Sequence, residues 1–329
     1  MLTENSRTYK PLKYPMAEEY RLQSEDIHWI VKEVEMSKDV EDFKSASIEE
    51  KEFIKNILSI FTQSDFNVAA GYLPLINTIK NNEVRGMLTS FMAREFIHQE
   101  GYAHLNESLG FPDSYYSDFL EHKETLEKDS YMAGTKSMNF GINLAKGILL
   151  EGISLFGSFI MLKNFERVGK YLGTCTINEW SLRDESLHVE GNAWLFRTWC
   201  DENPNEVNDD FKLEIYSMAR EIVQLEKNFI DFAFGSYAPP KLDKEDVKAY
   251  IEYIADRRLL QLGLKPNFGR SKNPLPWMDE LNNGSSLANF FEKRVTDYSV
   301  AVCQATLLTK ETKGDTHGND GIKPRRTSW

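Results

Sequence analysis

Two tetrapeptides of the form Glu-x-x-His, Glu95-Phe96-Ile97-His98 and Glu185-Ser186-Leu187-His188, are the residues of this chain best suited to chemistry. Residues three apart on a helix share a face, so each pair would aim a carboxylate and an imidazole at one neighbour. Such oxygen and nitrogen donors can hold a divalent transition ion. Either tetrapeptide alone has an ordinary reading as a solvated pair or a capping contact. The rows around them change that. Leu88, Phe91, Glu95, His98 and Tyr102 step by three and four residues, so the first pair continues an apolar, core-facing row. Leu144, Ile148, Glu151, Leu155 and Phe159 place Glu151 on a buried face, and Ile54, Leu58 and Phe61 lead to Asp65.

With Glu185, four helices each drive an acid into a core, where an unpaired charge is costly. One acid from each of two helices plus a Glu-x-x-His from each of two more is the dinuclear carboxylate arrangement of a four-helix bundle. The candidate metal ligands are Asp65, Glu95, His98, Glu151, Glu185 and His188. Their donor types suit two iron or two manganese ions, and the absence of thiolates argues against zinc or an iron–sulfur cluster. Buried ion pairs with Arg94 and Arg183 are the competing explanation, but two arginines cannot neutralise four acids.

The elements that must position these residues are long helices. Between Pro15 and Pro204 the only prolines are Pro74 and Pro112, and interior proline is what helices exclude. Ser47-Ile48-Glu49-Glu50 is a capping box opening a helix over 47–80, with a kink expected at Pro74. Further helices are expected over 83–109, 115–128, 135–163, 173–200, 205–234 and 242–262, the last two stopped by Gly235 and Gly263. From Lys265 the chain is rich in Pro, Gly, Asn and Ser and reads as irregular surface wrapping. A mobile tail is expected from about Thr306, after a main domain spanning 1–300 and before the end of a 301–329 tail. No alternating β pattern competes, so the class is all-α.

Composition excludes other roles. The chain has 39 Lys+Arg and 51 Asp+Glu, a formal charge of −12, which disfavours nucleic acid or an anionic membrane as partner. Three cysteines, Cys175, Cys200 and Cys303, without a C-x-x-C spacing suggest no disulfide framework and fit a reducing, cytoplasmic compartment. No secretory signal pattern occupies Met1 to Tyr20. The apolar stretch Gly147 to Leu162 is 16 residues long and contains Glu151. A membrane span needs about 20 apolar residues, so this is expected to be a helix buried in protein. No P-loop or G-x-G-x-x-G is present.

The set Asp65, Glu95, His98, Tyr102, Glu151, Glu185 and His188 resembles the small, radical-generating subunit of class I ribonucleotide reductases, and the resemblance covers nearly the whole chain. Tyr102, four residues after His98, stands where that family keeps its oxidisable tyrosine. Arg183-Asp184-Glu185 matches the family's Arg-Asp-Glu run, and Trp29, 36 residues before Asp65, matches its electron-transfer tryptophan. Asn273-Pro274-Leu275-Pro276-Trp277 and the segment from Phe290 to Tyr298 resemble its C-terminal region, with Tyr298 as relay tyrosine. The resemblance implies a ferritin-like bundle with additional helices. It also implies a dinuclear centre that reacts with oxygen or a derived oxidant, and a radical on Tyr102 that leaves by Trp29 and Tyr298. Asp184 would link His98 to Trp29, and Leu155 and Phe159 would line the radical site. The implied partners are a second copy in a homodimer and, through the C-terminal tail, a large subunit that reduces ribonucleoside di- or triphosphates. Whether a flavodoxin-like activator takes part is left open.

The chain departs from the family in three places. Asp65 precedes Glu95 by 30 residues, one fewer than is typical, which a deletion in the Asn81-Asn82 turn would absorb. Ser181 is polar near the tyrosine, where many relatives are aliphatic. The basic end, KPRRTSW, lacks an acidic and aromatic finish. The alternatives are a ferritin-like oxidase or monooxygenase acting on its own small substrate, and an iron-storage protein. The latter is usually shorter, and neither needs to export a radical through Trp29, Asp184 and Tyr298.

Overall fold

A computed structural model describes residues 1–134 and 137–278. Tyr298, the expected boundary at 300 and the expected mobile tail lie outside the described residues. Ten α-helices and no strand occur among the described residues: α1 (Pro15–Asp26), α2 (Ser37–Ser45), α3 (Ile48–Thr78), α4 (Asn82–Ser108), α5 (Lys123–Ala133), α6 (Phe140–Leu149), α7 (Phe156–Lys163), α8 (Leu172–Glu202), α9 (Asp209–Phe234) and α10 (Lys244–Gln261).

Local chemistry sets most of the boundaries. Ser47 accepts from Glu50 N–H at the start of α3, and Asn81 accepts from Val84 N–H at the start of α4. The two helices are therefore joined by a tight turn, as short connections require. Pro74 lies near the end of α3, which continues to Thr78. Asn208 and Asp243 cap α9 and α10 in the same way. The core bundle consists of α3, α4, the α6–α7 pair and α8, with α1 against α4 and α8 and α2 against α8. Helices α9 and α10 pack together on the outer side of α6 and α7.

Three departures from the expected helices have local causes. The helix expected over 115–128 is a 3-10 turn, Asp113–Leu120, followed by α5. At the break the Thr125 hydroxyl donates to the Phe119 carbonyl at 2.6 Å and the His122 carbonyl at 3.0 Å, an alternative to the helical ladder. The helix expected over 135–163 begins at the Asn139 cap and is interrupted by a π turn, Leu150–Ser154, that carries Glu151. Its flanks, Phe140–Val168, are apolar and long enough to cross a membrane, but 89% of the most apolar window is buried inside the protein. The segment after Lys265 is not merely surface chain: Asp256 accepts from the backbone N–H groups of Asn267, Phe268 and Arg270, and Leu275 and Met278 are buried.

The N-terminal helices α1 and α2 were not among the expected elements, and α2 has a specific task. Asp39 is fully buried and accepts from Gly173 N–H at 3.0 Å and Thr174 N–H at 2.7 Å. It thus satisfies the first turn of α8, whose own N-cap, Tyr171, has φ 51° and makes no side-chain cap. Asp39→Ala removes that acceptor and leaves two buried N–H groups unpaired. The expected cost is about 1–2 kcal/mol, read as a lower urea midpoint at unchanged m-value. A change of only a few tenths would show that the cap contributes nothing to seating α8.

Candidate metal centre

The six ligand candidates come from four stretches of the bundle: Asp65 on α3, Glu95 and His98 on α4, Glu151 on the π turn, and Glu185 and His188 on α8. All six are buried, none more than 2% exposed. They form two overlapping groups, Asp65–Glu95–His98–Glu185 and Glu151–Glu185–His188, with the donor atoms in each group within 4.8 Å of one another. The two oxygens of Glu95 face different histidines: Oε2 lies 3.4 Å from His98 Nδ1 and Oε1 lies 3.0 Å from His188 Nδ1. Glu185 repeats this, with Oε1 3.1 Å from His98 Nδ1 and Oε2 3.6 Å from His188 Nδ1. Glu95 and Glu185 therefore lie between two ends, one marked by His98 and Asp65, the other by His188 and Glu151.

These atoms converge without pairing. Asp65 Oδ2, both oxygens of Glu95 and of Glu185, and Nδ1 of both histidines are buried and make no hydrogen bond of acceptable geometry. Buried polar groups are otherwise almost always satisfied. Burial pushes the Asp65 and Glu151 carboxyls well above the usual carboxylate range, and in both the charges of neighbouring acids add to it. Burial alone would lower both imidazoles. The carboxylates around them outweigh it, so His98 is raised well above its ordinary value and His188 to about 10. So many acids in a dry core favour positive charge among them. Hard oxygen and imidazole donors aimed at two points fit two divalent cations, which displace ligand protons on binding. Arg94 and Arg183, the partners that a charge-pairing alternative would enlist, both reach Asp184 instead.

Asp184 organises the His98 end. Its Oδ2 accepts from Arg94 Nη2 at 2.9 Å and from Trp29 Nε1 at 2.9 Å, and lies 3.1 Å from His98 Nε2. Burial would raise this carboxyl, but the His98 hydrogen bond and the Arg94 and Arg183 charges hold it well below the usual range. An ionised Asp184 requires the proton on His98 Nε2, which leaves Nδ1 free to face the acids. The Trp29 and His98 rings stack at 6.1 Å. Gly101 makes room for this, since a Cβ there would stand 3.1 Å from Trp29 Cη2.

Tyr102 is fully buried. Phe61 stacks on it with centroids 4.1 Å apart, and Phe159 lies 5.4 Å from Phe61. Its hydroxyl makes no aligned hydrogen bond. Burial, then the Asp65 charge, pushes the phenol well above its ordinary pKa, against a smaller opposing effect from the Ser181 hydroxyl beside it.

Several participants were not singled out in the sequence. Tyr72 donates to Glu151 Oε2 at 3.0 Å and accepts from Asn192 Nδ2 at 2.8 Å. Tyr72 follows Asp65 by seven residues and Asn192 follows His188 by four, so helical spacing could have found both. Both line a cavity of about 150 Å³ that also includes Gly71, Lys146, Gly147 and Glu151. Phe61 was visible only as a core residue, and His28 Nδ1 meets Arg94 Nη1 at 2.6 Å beside the tryptophan.

Comparison with known proteins agrees with this geometry. The family described as ribonucleotide reductase, small chain, matches residues 6–274. A probable ribonucleoside-diphosphate reductase small subunit of Invertebrate iridescent virus 3 is 37% identical over 323 residues, covering 91% of this chain and 86% of the viral one. Among solved structures, the ribonucleotide reductase R2 subunit from Clostridium botulinum superposes with a TM-score of 0.80 at 23% identity, covering 85% of this chain and 92% of its own. The Rnr4 homodimer structure from Saccharomyces cerevisiae gives 0.69 at 22% identity, covering 91% and 92%. The bundle is thus ferritin-like, as the sequence suggested, and the chain belongs to the small-chain family of ribonucleotide reductases.

Proposed function

We propose that this oxidoreductase subunit generates a radical on Tyr102 and passes the oxidising equivalent through Trp29 to a large subunit that reduces ribonucleoside diphosphates. The observation that carries the reading is the shared oxygen of Asp184, which joins a histidine of the metal centre to the Trp29 indole by two hydrogen bonds. An oxidase acting on its own substrate has no use for such a connection, and the viral relative is named for diphosphate reduction.

Two iron or two manganese ions held by Asp65, Glu95, His98, Glu151, Glu185 and His188 would supply the power to remove an electron and a proton from a phenol. The protein's part is placement and exclusion. Tyr102 is kept protonated by burial and is covered by Phe61, on which Phe159 packs in turn, and Leu155, one turn before Phe159, is buried too. A dry aromatic surround slows quenching by solvent. Asp184 keeps His98 in one tautomer and holds the indole N–H. Tyr298 completes the route in this reading, and the C-terminal segment docks the large subunit. A homodimer is supported by large apolar side chains left exposed on α3 and α4, Phe66, Leu73 and Phe96. The described cysteines, Cys175 and Cys200, are free, in keeping with a reducing cytoplasm.

Three outcomes are expected. Anaerobic loading with Fe(II) or Mn(II), followed by oxygen, gives a tyrosyl EPR signal that Tyr102→Phe abolishes; an undiminished signal in the variant would move the radical elsewhere. Trp29→Phe forms the Tyr102 signal normally yet supports only background turnover with the large subunit, whereas wild-type turnover would remove Trp29 from the route. Adding Mn(II) at about a hundred times its Kd to stripped protein stabilises it by about 2.7 kcal/mol, visible as a higher thermal midpoint, and an unmoved midpoint would sink the metal assignment.

A further inference from the structure

Away from the metal centre, the buried charges of Lys128, Glu226 and Arg258 lie around one stretch of the bundle. That stretch is the π turn Leu150–Ser154 and the start of α7. A π turn puts an extra residue into the helical ladder and loosens the hydrogen bonding at its edges. Here side chains from neighbouring helices hold the backbone at Gly152 inside the turn and at Gly157 just after it. Arg258 of α10 donates from Nε to the Gly152 carbonyl at 3.1 Å. Glu226 of α9 accepts from Gly157 N–H at 2.9 Å, and its other oxygen accepts from Lys128 Nζ of α5 at 2.7 Å.

The fit is close enough to dictate glycine at both contacts. A Cβ at Gly152 would stand 2.6 Å from Arg258 Nε, and one at Gly157 would stand 2.3 Å from Glu226 Oε1. Burial lowers the Arg258 guanidinium to about 10, the mark of a cation held away from water. Apolar residues of the same volume are often as stabilising as a buried ion pair, so stability alone is a poor reason for these charges. Glu151, a candidate ligand at the His188 end, is next in sequence to Gly152.

We propose that Arg258 and the Lys128–Glu226 pair are positioning residues for the metal centre: they fix the π turn from outside and thereby hold Glu151 at the His188 end. The inference rests on the dinuclear reading of the site. It assigns the two ends different supports. The His98 end is set by Asp184 and the His188 end by this clamp, so damage to the clamp weakens one metal position and spares the other.

Co(II) is a suitable probe, because its visible absorption reports binding without turnover. Stripped wild-type protein titrated anaerobically is expected to take up two equivalents; fewer would count against the dinuclear reading itself and not against the clamp. In Arg258→Met and in Gly152→Ala, whose new methyl displaces the guanidinium, one equivalent is expected to weaken about ten- to a hundredfold while the other keeps its affinity. Lys128→Met/Glu226→Gln removes both charges but leaves an amide oxygen for Gly157 N–H, and retains both affinities. Lys128→Met/Glu226→Leu loses the acceptor and repeats the selective loss. Thermal unfolding of the metal-free variants separates positioning from general damage. Equal weakening of both equivalents, in step with a lower midpoint, overturns the proposal, as do unchanged affinities in the variants that have lost the clamp.

Discussion

Negative charge in a dry interior is the constraint on which the rest of this structure depends. Asp65, Glu95, Glu151 and Glu185 are all buried in one cluster, where each would be costly alone. No single helix could carry them all inward, so α3, α4, the π turn and α8 each contribute part of the load. The two histidines cannot discharge it on their own, since it is the surrounding acids that raise their pKa values. The arginines nearest in sequence are committed to Asp184. Cations from outside remain the compensating charge, and a bundle of long helices is the scaffold that brings donors from four segments to two points.

That constraint was legible because it leaves a trace in helical spacing. An acid that interrupts an apolar row must either be an error of reading or have a partner, and three such interruptions, at Asp65, Glu95 and Glu151, cannot all be errors. Trp29 and Asp184 left no such trace. They lie 155 residues apart, and nothing in spacing joins them; only the resemblance to a family pointed to the hydrogen bond that the structure contains. Tyr72 and Asn192 fall between these cases. Their offsets of seven and four from Asp65 and His188 put them on ligand-bearing faces, but a tyrosine and an asparagine on such faces are common enough to pass as core packing.

The π turn shows why part of the site was beyond reach. The row Leu144, Ile148, Glu151, Leu155, Phe159 obeys α-helical spacing, and all five residues are buried as that spacing suggested. Periodicity therefore gave the right face while missing the local change of ladder. The groups gripping that ladder sit on α9 and α10, 69 and 106 residues away along the chain. A sequence window cannot contain such a cause. The same holds for α8, whose first turn is completed by Asp39 from a helix 134 residues earlier.

The supports also explain why the two ends of the centre look unlike each other. At the His98 end, one carboxylate binds two arginines, an imidazole and an indole, so the ring and the tryptophan are fixed relative to one another. At the His188 end, Nε2 makes no hydrogen bond and the ring packs instead beside Phe91, with centroids 4.6 Å apart. An imidazole held by packing is oriented less sharply than one held by a charge-assisted hydrogen bond. The burden of defining that end then falls on Glu151, which is fixed through Tyr72 and Asn192 on one side and through its own backbone on the other. Gripping that backbone from α9 and α10, as proposed, would stiffen it where Glu151 leaves the chain. In the proposed clamp, Arg258 and Glu226 act through the backbone at Gly152 and Gly157.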